Sequence, residues 1–186
     1  MIETNRLVLR QFSASDAEDV FEYLKEPSVN CFKCMKKDTV KQTERMLEER
    51  SGNPLCLAVV LKSNGKVIGE VEAHGEKTNP EEQDSPADTF GMCWMLNDRY
   101  RSKGYAFEAV SAFFDYLFCQ MGARRIYAFT EDYNLPSQKL CERLGMRREG
   151  EFVEYVSFVS NDEGPIYENT LQYAVLKREW QKNRIQ

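Results

Sequence analysis

Arg101-Ser102-Lys103-Gly104-Tyr105-Ala106 joins a strand-like segment, Thr89 to Leu96, to an apolar segment of helical spacing that runs to about Cys119. A strand, a turn and a helix start in this order place unpaired backbone N–H groups, which carry partial positive charge, at the first turn of the helix. A pyrophosphate can bind to such groups where no bulky side chain is in the way, and Gly104 and Ala106 supply that clearance. The stretch therefore predicts an anion-binding turn. Its Arg101 and Lys103 form a local basic cluster with Arg99, two residues before it.

The size and composition of the chain predict one globular domain over residues 1–186. The hydrophobic fraction of 42% and the charged fraction of 30% are ordinary for a soluble protein. No apolar run reaches membrane-spanning length and the N-terminus lacks the layout of a signal peptide, so we expect a cytoplasmic location and no membrane partner. The net charge of −5 argues against nucleic acid as a partner and favours a cationic ligand at long range.

The six cysteines are scattered, several of them in apolar segments, and we interpret them as buried free thiols of a reducing compartment. Cys31 and Cys34 have the two-residue spacing of a zinc or redox pair. A structural zinc site normally needs four protein ligands, however, and the sequence has no second such pair and only one histidine, His74. We therefore expect no metal site.

The N-terminal half reads as a strand, two helices and a strand hairpin. Ala17, Val20, Phe21 and Leu24 share one helical face after an N-cap at Ser13. Thr39 with Gln42 resembles a capping box, which opens a second helix that runs to about Arg50. The other elements predicted here are strands over Leu7 to Arg10, Leu55 to Leu61 and Val67 to Ala73, a tight turn at Asn64-Gly65 and a loop over Gly75 to Asp88.

The C-terminal half continues with alternating helices and strands. The helix after the basic turn has a broad apolar face, which predicts packing against a sheet; it is formed by Ala106, Ala109, Val110, Phe113, Phe114, Leu117 and Phe118. The elements that follow are a strand over Arg125 to Thr130, a short helix from Asn134 to Gly145, and strands over Phe152 to Val159 and Thr170 to Leu176. This order predicts a mixed α/β domain around one sheet.

The element order, with a basic glycine turn after the fourth strand, resembles the GCN5-related N-acetyltransferase (GNAT) family. Residues 101–106 match that family's cofactor signature, Arg/Gln-x-x-Gly-x-Gly/Ala, and Asn134-Leu135-Pro136-Ser137 with Leu144-Gly145-Met146 is similar to its Asn-x-x-Ser/Ala…Leu-Gly-Phe segment. The opening Glu3-Thr4-Asn5-Arg6-Leu7-Val8-Leu9-Arg10 resembles the RimJ/RimL branch, whose founding members acetylate the N-termini of ribosomal proteins. The resemblance implies a mixed, mostly antiparallel sheet, flanked by helices and splayed at a cofactor gap.

The resemblance also implies that acetyl-CoA binds where the strand of Trp94 to Leu96 splays from the strand of Tyr127 to Thr130. The cofactor-binding residues would then be Met95 and Leu96 with Asn134 and Ser137 for the pantetheine arm and its sulfur, and Arg101, Lys103, Gly104, Tyr105 and Ala106 for the pyrophosphate. A backbone N–H near Met95 or Leu96 would stabilise the developing oxyanion.

The catalytic residues are less closely defined by the resemblance. Many relatives place a tyrosine acid at the position of Cys141, and Ser137 either takes over the contact to the sulfur or is a first-turn residue without a catalytic role. The base is Glu72 or His74, which share a strand face with Glu70, or Glu154 on a late strand. The alternative for each candidate base is a solvated strand residue.

The predicted function is direct transfer of an acetyl group from acetyl-CoA to a primary amine. The acceptor is either a protein N-terminus or a small cationic amine, and the acidic residues between Gly75 and Asp88 favour a cationic one. A homodimer is one candidate assembly. The alternative function is a module of the same fold that binds an acyl-CoA or a protein partner without turnover.

Overall fold

The computed structural model describes residues 1–77, 81 and 86–183. Within these residues, eight strands form one sheet in the order β1-β2-β3-β4-β5-β6-β8-β7. The strands are β1 (Ile2–Glu3), β2 (Leu7–Arg10), β3 (Cys56–Leu61), β4 (Val67–Glu76), β5 (Thr89–Leu96), β6 (Arg125–Glu131), β7 (Arg147–Asn161) and β8 (Gly164–Leu176). The helices are α1 (Ala17–Leu24), α2 (Val40–Arg50), α3 (Tyr105–Cys119), α4 (Leu135–Arg143) and α5 (Lys177–Asn183).

The strand pairing confirms the mixed, mostly antiparallel sheet. β2 pairs antiparallel with β3 and β3 with β4, and β6 pairs antiparallel with β8. β5 pairs in parallel with β6, with Thr89 opposite Arg125 and Met92 opposite Ala128. A parallel pair needs a crossover connection, and α3 is that crossover.

By internal contacts the chain divides into two compact units. The first comprises Met1–Glu72, Trp94–Ala112 and Ser157–Ile166, and the second comprises Ala73–Cys93, Phe113–Val156 and Tyr167–Gln186. Four strands, β4, β5, β7 and β8, and the helix α3 therefore each contribute residues to both units.

The first unit has a core between α1, α2 and the N-terminal strands. Val20 and Leu24 of α1 and Leu47 of α2 are buried against Ala58 and Val60 of β3. The helix α2 starts as predicted, because the Thr39 side chain accepts a hydrogen bond from the Gln42 N–H at 3.2 Å. In return, Gln42 Oε1 accepts from the Thr39 N–H, which completes the capping box.

The second unit has an aromatic core on the later turns of α3. Phe113, Phe114 and Phe118 are fully buried. The Trp180 ring of α5 packs edge-on against Phe114, with 5.4 Å between ring centroids, and the Trp180 Nε1–H donates to Asp115 Oδ1 at 2.8 Å. These contacts fix α5, an element that the sequence analysis did not predict.

Several sequence predictions need correction. The last two strands are longer than predicted, since β7 begins at Arg147 and β8 at Gly164, and the short strand β1 was missed. Cys34 and Cys119 are exposed and only Cys56 and Cys141 are buried, so the prediction of buried thiols fails for the exposed pair. The predicted loop over Gly75 to Asp88 is strand at Gly75 and Glu76, and its residues 78–80 and 82–85 lie outside the described residues. No helix among the described residues is long and apolar enough to cross a bilayer.

Candidate active site

The anion-binding turn predicted at residues 101–106 contains two residues with left-handed backbone, Ser102 (φ 60°) and Gly104 (φ 79°). The conformation at Gly104 is one that residues with a side chain rarely adopt, and a Cβ there would lie 3.4 Å from Arg6 Nη2. α3 begins at the next residue, Tyr105. The backbone therefore bends sharply into the helix start, as the sequence predicts.

The basic side chains around the turn are more strongly neutralised than the sequence suggests. Arg101 pairs with Asp98 at 2.6 Å and its Nη2 donates to Ser28 Oγ at 2.7 Å. Arg99 pairs with Glu22 at 3.6 Å. The Lys103 ammonium lies over the Tyr100 ring, 5.3 Å from its centroid. Glu22 and Ser28 lie more than 70 positions before their partners in the sequence, so no local pattern predicts these contacts.

The backbone of Met95 and Leu96 is held by a close approach of β4. A Cβ at Gly69 would overlap the Met95 carbonyl oxygen and lie 2.9 Å from Leu96 Cα. The Asn97 N–H donates to the Ile68 carbonyl at 2.9 Å just beyond. A glycine at position 69 is therefore required for this part of β5 to lie where it does. The sequence analysis did not single out Gly69, although an isolated glycine inside a strand is a known sign of close backbone approach.

A buried polar network surrounds the candidate base Glu72. The Glu70 carboxylate accepts from the Tyr23 hydroxyl at 2.9 Å and from Arg50 Nη2 at 2.9 Å. The Glu72 carboxylate accepts from the same Arg50 Nη2 at 2.9 Å and from Asn53 Nδ2 at 3.0 Å. Both oxygens of each carboxylate are thus engaged. The Glu70 side chain is buried, with 5% of its surface exposed, and the candidate base Glu72 is partly buried.

Burial and charge perturb the groups of this network in consistent directions. Burial, followed by the Glu70 carboxylate, raises the pKa of Tyr23 well above its ordinary value. Burial by itself would lower the pKa of Arg50, but Glu70 and Glu72 outweigh it and raise that pKa. Burial also raises the pKa of the neighbouring Cys56 thiol to about 12. The network therefore holds one cation between two anions.

In the second unit, Asn134 caps α4. Its Oδ1 accepts from the Ser137 N–H at 3.3 Å, and its Nδ2 donates to Glu131 Oε2 at 3.2 Å. Ser137 thus lies in the first turn of α4. Cys141 is fully buried, and burial raises its thiol pKa to about 12.

The remaining candidate bases are on the surface. Glu154 is exposed, with left-handed backbone (φ 48°), and its N–H donates to Asn169 Oδ1 at 2.9 Å. His74 is exposed as well. Tyr133, next to Asn134, is 47% exposed, and its hydroxyl donates to Glu168 at 3.2 Å.

The candidate residues divide between the two units. Glu72, Met95, Leu96, Arg101, Lys103, Gly104, Tyr105 and Ala106 belong to the first, and Asn134, Ser137 and Glu154 belong to the second. In the described part of the chain, no three His, Cys, Asp or Glu side chains are placed to hold a metal ion. The sequence analysis missed the role of Arg6, which donates to the Lys103 carbonyl of the turn and pairs with Glu108 in the first turn of α3. The match of Arg6 to the family opening was the available sign.

Comparison with known proteins agrees with this architecture. The family described as acetyltransferase (GNAT) domain matches residues 6–147. The N-acetyltransferase YnaD of Bacillus subtilis (strain 168) is 29% identical over 183 residues, which cover 96% of this chain and 98% of that protein. The crystal structure of a GNAT-family acetyltransferase from Bacillus anthracis has a TM-score of 0.81 and 28% identity, over 96% of this chain and 99% of that one. That of a ribosomal-protein-S5-alanine acetyltransferase from Vibrio fischeri has a TM-score of 0.69 and 24% identity, over 96% and 97%. The chain therefore belongs to the acetyltransferase (GNAT) family.

Proposed function

We propose that this protein transfers an acetyl group from acetyl-CoA to a primary amine. The observation that carries the proposal is the turn before α3, where Ser102 and Gly104 have left-handed backbone and the helix begins at Tyr105. Such a turn exposes backbone N–H groups without a side chain over them, which is the chemistry that a pyrophosphate requires.

The proposed cofactor-binding residues follow from this placement and from the family signature. The amides of Lys103 to Ala106 would bind the pyrophosphate, and Lys103 and Arg101 would add charge, although Asp98 already neutralises part of it. The backbone of Met95 and Leu96 would bind the pantetheine arm, because backbone groups of a strand can pair with amides. Asn134 and Ser137 are assigned to the same arm on the family resemblance.

Acetyl-CoA supplies the thioester carbonyl that the amine attacks. The protein must take a proton from the ammonium form of the acceptor, and Glu72 and Glu154 are the proposed bases. Glu72 is held on both oxygens by Arg50 and Asn53, which positions it firmly. Glu154 is exposed and accessible to an acceptor. The hydroxyl of Ser137 is the proposed donor to the CoA sulfur.

Glutamine variants separate the two bases. If Glu72 is the base, Glu72→Gln should lower kcat by about 100-fold or more, since general base catalysis contributes roughly 10²–10⁴-fold. If Glu154 is the base, Glu154→Gln should have that effect instead. The decisive readout is the pH profile of kcat, whose acidic limb should disappear in the variant that lacks the base. If both variants keep the acidic limb, neither glutamate is the base.

The acceptor is proposed to be a protein N-terminus or a small cationic amine. The Vibrio fischeri enzyme is named for a ribosomal protein, but at 24% identity it supports the fold only. The similarity of the opening residues 3–10 supports a place in the RimJ/RimL branch.

We further propose that residues 1–186 act as a single acetyltransferase domain in the cytoplasm. We also propose that the protein assembles as a homodimer, and gel filtration with light scattering tests this assembly.

A thermal shift with acetyl-CoA tests the proposed function, with ATP and NAD as controls. A ligand at about 100 times its dissociation constant stabilises the folded state by roughly 2.7 kcal/mol. For a domain of this size, the melting temperature should then rise by roughly 5–10 °C. A rise with acetyl-CoA alone supports the proposal, and no rise at saturating concentration contradicts it.

The second candidate function is a binding module without turnover, and the observation that favours it is Cys141. A buried thiol with a pKa near 12 stands where many relatives have a tyrosine acid. Acetyl transfer measured over a panel of peptides and small amines distinguishes the two functions. Tight binding of acetyl-CoA with no transfer to any acceptor would favour the binding module.

A further inference from the structure

We propose that Arg6 is a positioning residue that orients the Gly104 amide toward the pyrophosphate of acetyl-CoA. The inference rests on the proposed function, and it adds a residue to which none of the matched motifs assigns a role. Arg6 lies between β1 and β2, outside the turn itself, and acts through the turn's backbone.

The first observation is a dense set of contacts between the N-terminal segment and Glu108 in the first turn of α3. The Arg6 Nε–H donates to Glu108 Oε2 at 2.6 Å, and the Arg6 backbone N–H donates to Oε1 at 2.8 Å. The Thr4 hydroxyl donates to the same Oε1 at 2.6 Å. Side chain and backbone of Arg6 are therefore both fixed relative to the start of α3.

The second observation is a bond from Arg6 to the turn. The Arg6 Nη1–H donates to the Lys103 carbonyl oxygen at 3.0 Å. The Lys103 carbonyl and the Gly104 N–H belong to one planar trans peptide, in which C=O and N–H point in opposite directions. Because Arg6 holds the oxygen, the Gly104 N–H points away from Arg6, toward the open side of the turn. Rotation of this peptide would break the bond and withdraw the donor.

The turn needs such a restraint because its conformation is unfavourable for one of its residues. Ser102 has a φ of 60°, and a residue with a side chain persists in this region only when its surroundings hold it there. Gly104 by itself tolerates many backbone conformations. The bond to the Lys103 carbonyl lies between these two residues and selects one of those conformations.

The third observation concerns the shape and charge of the side chain. The Arg6 guanidinium lies over the Tyr105 ring, 4.5 Å from its centroid, while its fork reaches both Glu108 and Lys103. A lysine has one compact donor group and cannot reproduce this arrangement. Burial by itself would raise the pKa of Glu108, but the hydrogen bonds from Thr4 and Arg6 outweigh it and lower that pKa. Arg6 thus also neutralises an anion that would repel a phosphate at the helix start.

The test compares Arg6→Gln and Arg6→Lys with a matched control, Arg10→Gln. Arg10 lies on the same N-terminal hairpin and forms a similar ion pair with Asp16, at 2.7 and 2.8 Å, but no contact of Arg10 with the turn is observed among the described residues. Acetyl-CoA affinity is measured by calorimetry. The amide resonance of Gly104 is followed by NMR on addition of CoA, since a structural role alone would not move that signal selectively.

We expect Arg6→Gln to weaken acetyl-CoA binding by about tenfold, which corresponds to about 1.4 kcal/mol. Arg6→Lys should lose nearly as much, and both variants should lose the CoA-induced shift of the Gly104 amide. Since Arg6 is 43% exposed and exposed ion pairs stabilise little, their melting temperatures should fall by no more than about 3 °C. Arg10→Gln should bind acetyl-CoA like the wild type.

Two results with the Arg6 variants would each overturn the inference. One is wild-type affinity in Arg6→Gln, and the other is full affinity in Arg6→Lys, which would reduce the role of Arg6 to its charge. An equal loss in Arg10→Gln would also overturn it, because the effect would then be a general loss of N-terminal structure. Failure of the wild type to bind acetyl-CoA is a separate outcome, and it refutes the proposed function itself.

Discussion

At the scale of single residues, Gly104 makes the sharpest prediction. Its φ of 79° disfavours any side chain, and a Cβ would stand 3.4 Å from Arg6 Nη2. We expect Gly104→Val to raise the dissociation constant for acetyl-CoA by at least about 100-fold. The branched side chain would push against the Arg6 guanidinium that holds the Lys103 carbonyl and, together with the strain of left-handed backbone, would rotate the peptide that carries the Gly104 N–H. Calorimetry gives the affinity, and circular dichroism checks that the fold is intact.

The matched control is Gly122→Val, at the other end of α3. Gly122 has nearly the same φ, 75°, and nothing lies within 4 Å of its Cβ position. The strain of a side chain in left-handed backbone, about 1–2 kcal/mol, is therefore shared by both variants. If Gly122→Val lost acetyl-CoA binding to the same extent, strain alone would explain the effect and the turn would not be the binding site.

The cysteines give a second prediction at this scale. Burial raises the pKa of Cys56 and of Cys141 to about 12, whereas Cys34 and Cys119 are exposed. In the native protein at pH 8, a thiol reagent should modify Cys34 and Cys119 rapidly and leave Cys56 and Cys141 unmodified, since the thiolate is the reactive form. Peptide mass mapping reads this out, and rapid native labelling of Cys141 would contradict it.

These raised pKa values also have a consequence for stability. A group whose pKa is higher in the folded than in the unfolded protein stabilises the fold at pH values below its unfolded pKa. For Cys56 and Cys141 this contribution is complete below pH 9 and is lost as the pH rises from 9 toward 12. Denaturant melts at pH 8 and pH 10.5 should therefore show a lower free energy of unfolding at the higher pH, and replacing both cysteines by alanine should reduce the difference.

At the scale of elements, the network of Arg50 on α2 with Glu70 and Glu72 on β4 predicts a large stability effect. Removal of one partner from a buried ion pair costs about 3–5 kcal/mol, because the remaining charge is left without compensation. Arg50→Met should therefore lower the melting temperature by roughly 10 °C, read by differential scanning calorimetry. The double variant Arg50→Met with Glu70→Gln should recover part of the loss. Equal melting temperatures for the single and double variants would show that charge is not the cause.

The same network shows what the sequence can and cannot predict. The spacing of Ala17, Val20 and Leu24 and the capping box at Thr39 are local, and so they predict α1 and the start of α2 correctly. The alternation along β4 places Glu70 and Glu72 on one strand, but it cannot indicate that Arg50 and Tyr23 are their partners. Those contacts depend on how α1, α2 and β4 pack, and packing is the information that a local pattern lacks.

Two short elements, β1 and α5, were not predicted from the sequence for related reasons. β1 has two residues and exists only through its pairing with β2. α5 has only about two turns, too few to be stable alone, and Trp180 fixes it against Phe114. The turn before α3 was predicted at the correct residues because glycine conformation and helix start are local. The ion pair of Arg6 with Glu108, which supports this turn, was not predicted. Its two partners are 102 positions apart in the sequence, so no local pattern indicates the contact.

At the scale of the whole molecule, the net charge of −5 acts with opposite sign on the two proposed substrates. A cationic acceptor is attracted and an anionic acetyl-CoA is repelled at long range, and salt screens both effects. The Debye length falls from about 30 Å at 0.01 M to about 10 Å at 0.1 M ionic strength. The salt dependence of kcat/KM therefore indicates the charge of each substrate, and the measurement needs only the wild-type protein.

For a triply charged polyamine acceptor, kcat/KM should fall by about three- to tenfold between 0.01 and 0.2 M salt, in the range of electrostatic steering. For a peptide with only its α-amino group charged, the change should stay within about twofold, since the attraction scales with ligand charge. The KM for acetyl-CoA should decrease or stay constant over the same range. A uniform fall for both acceptors would indicate a general effect of salt on the enzyme. Activity confined to acidic acceptors would refute the argument for a cationic one, because such a site would have to overcome the charge of the molecule with local contacts.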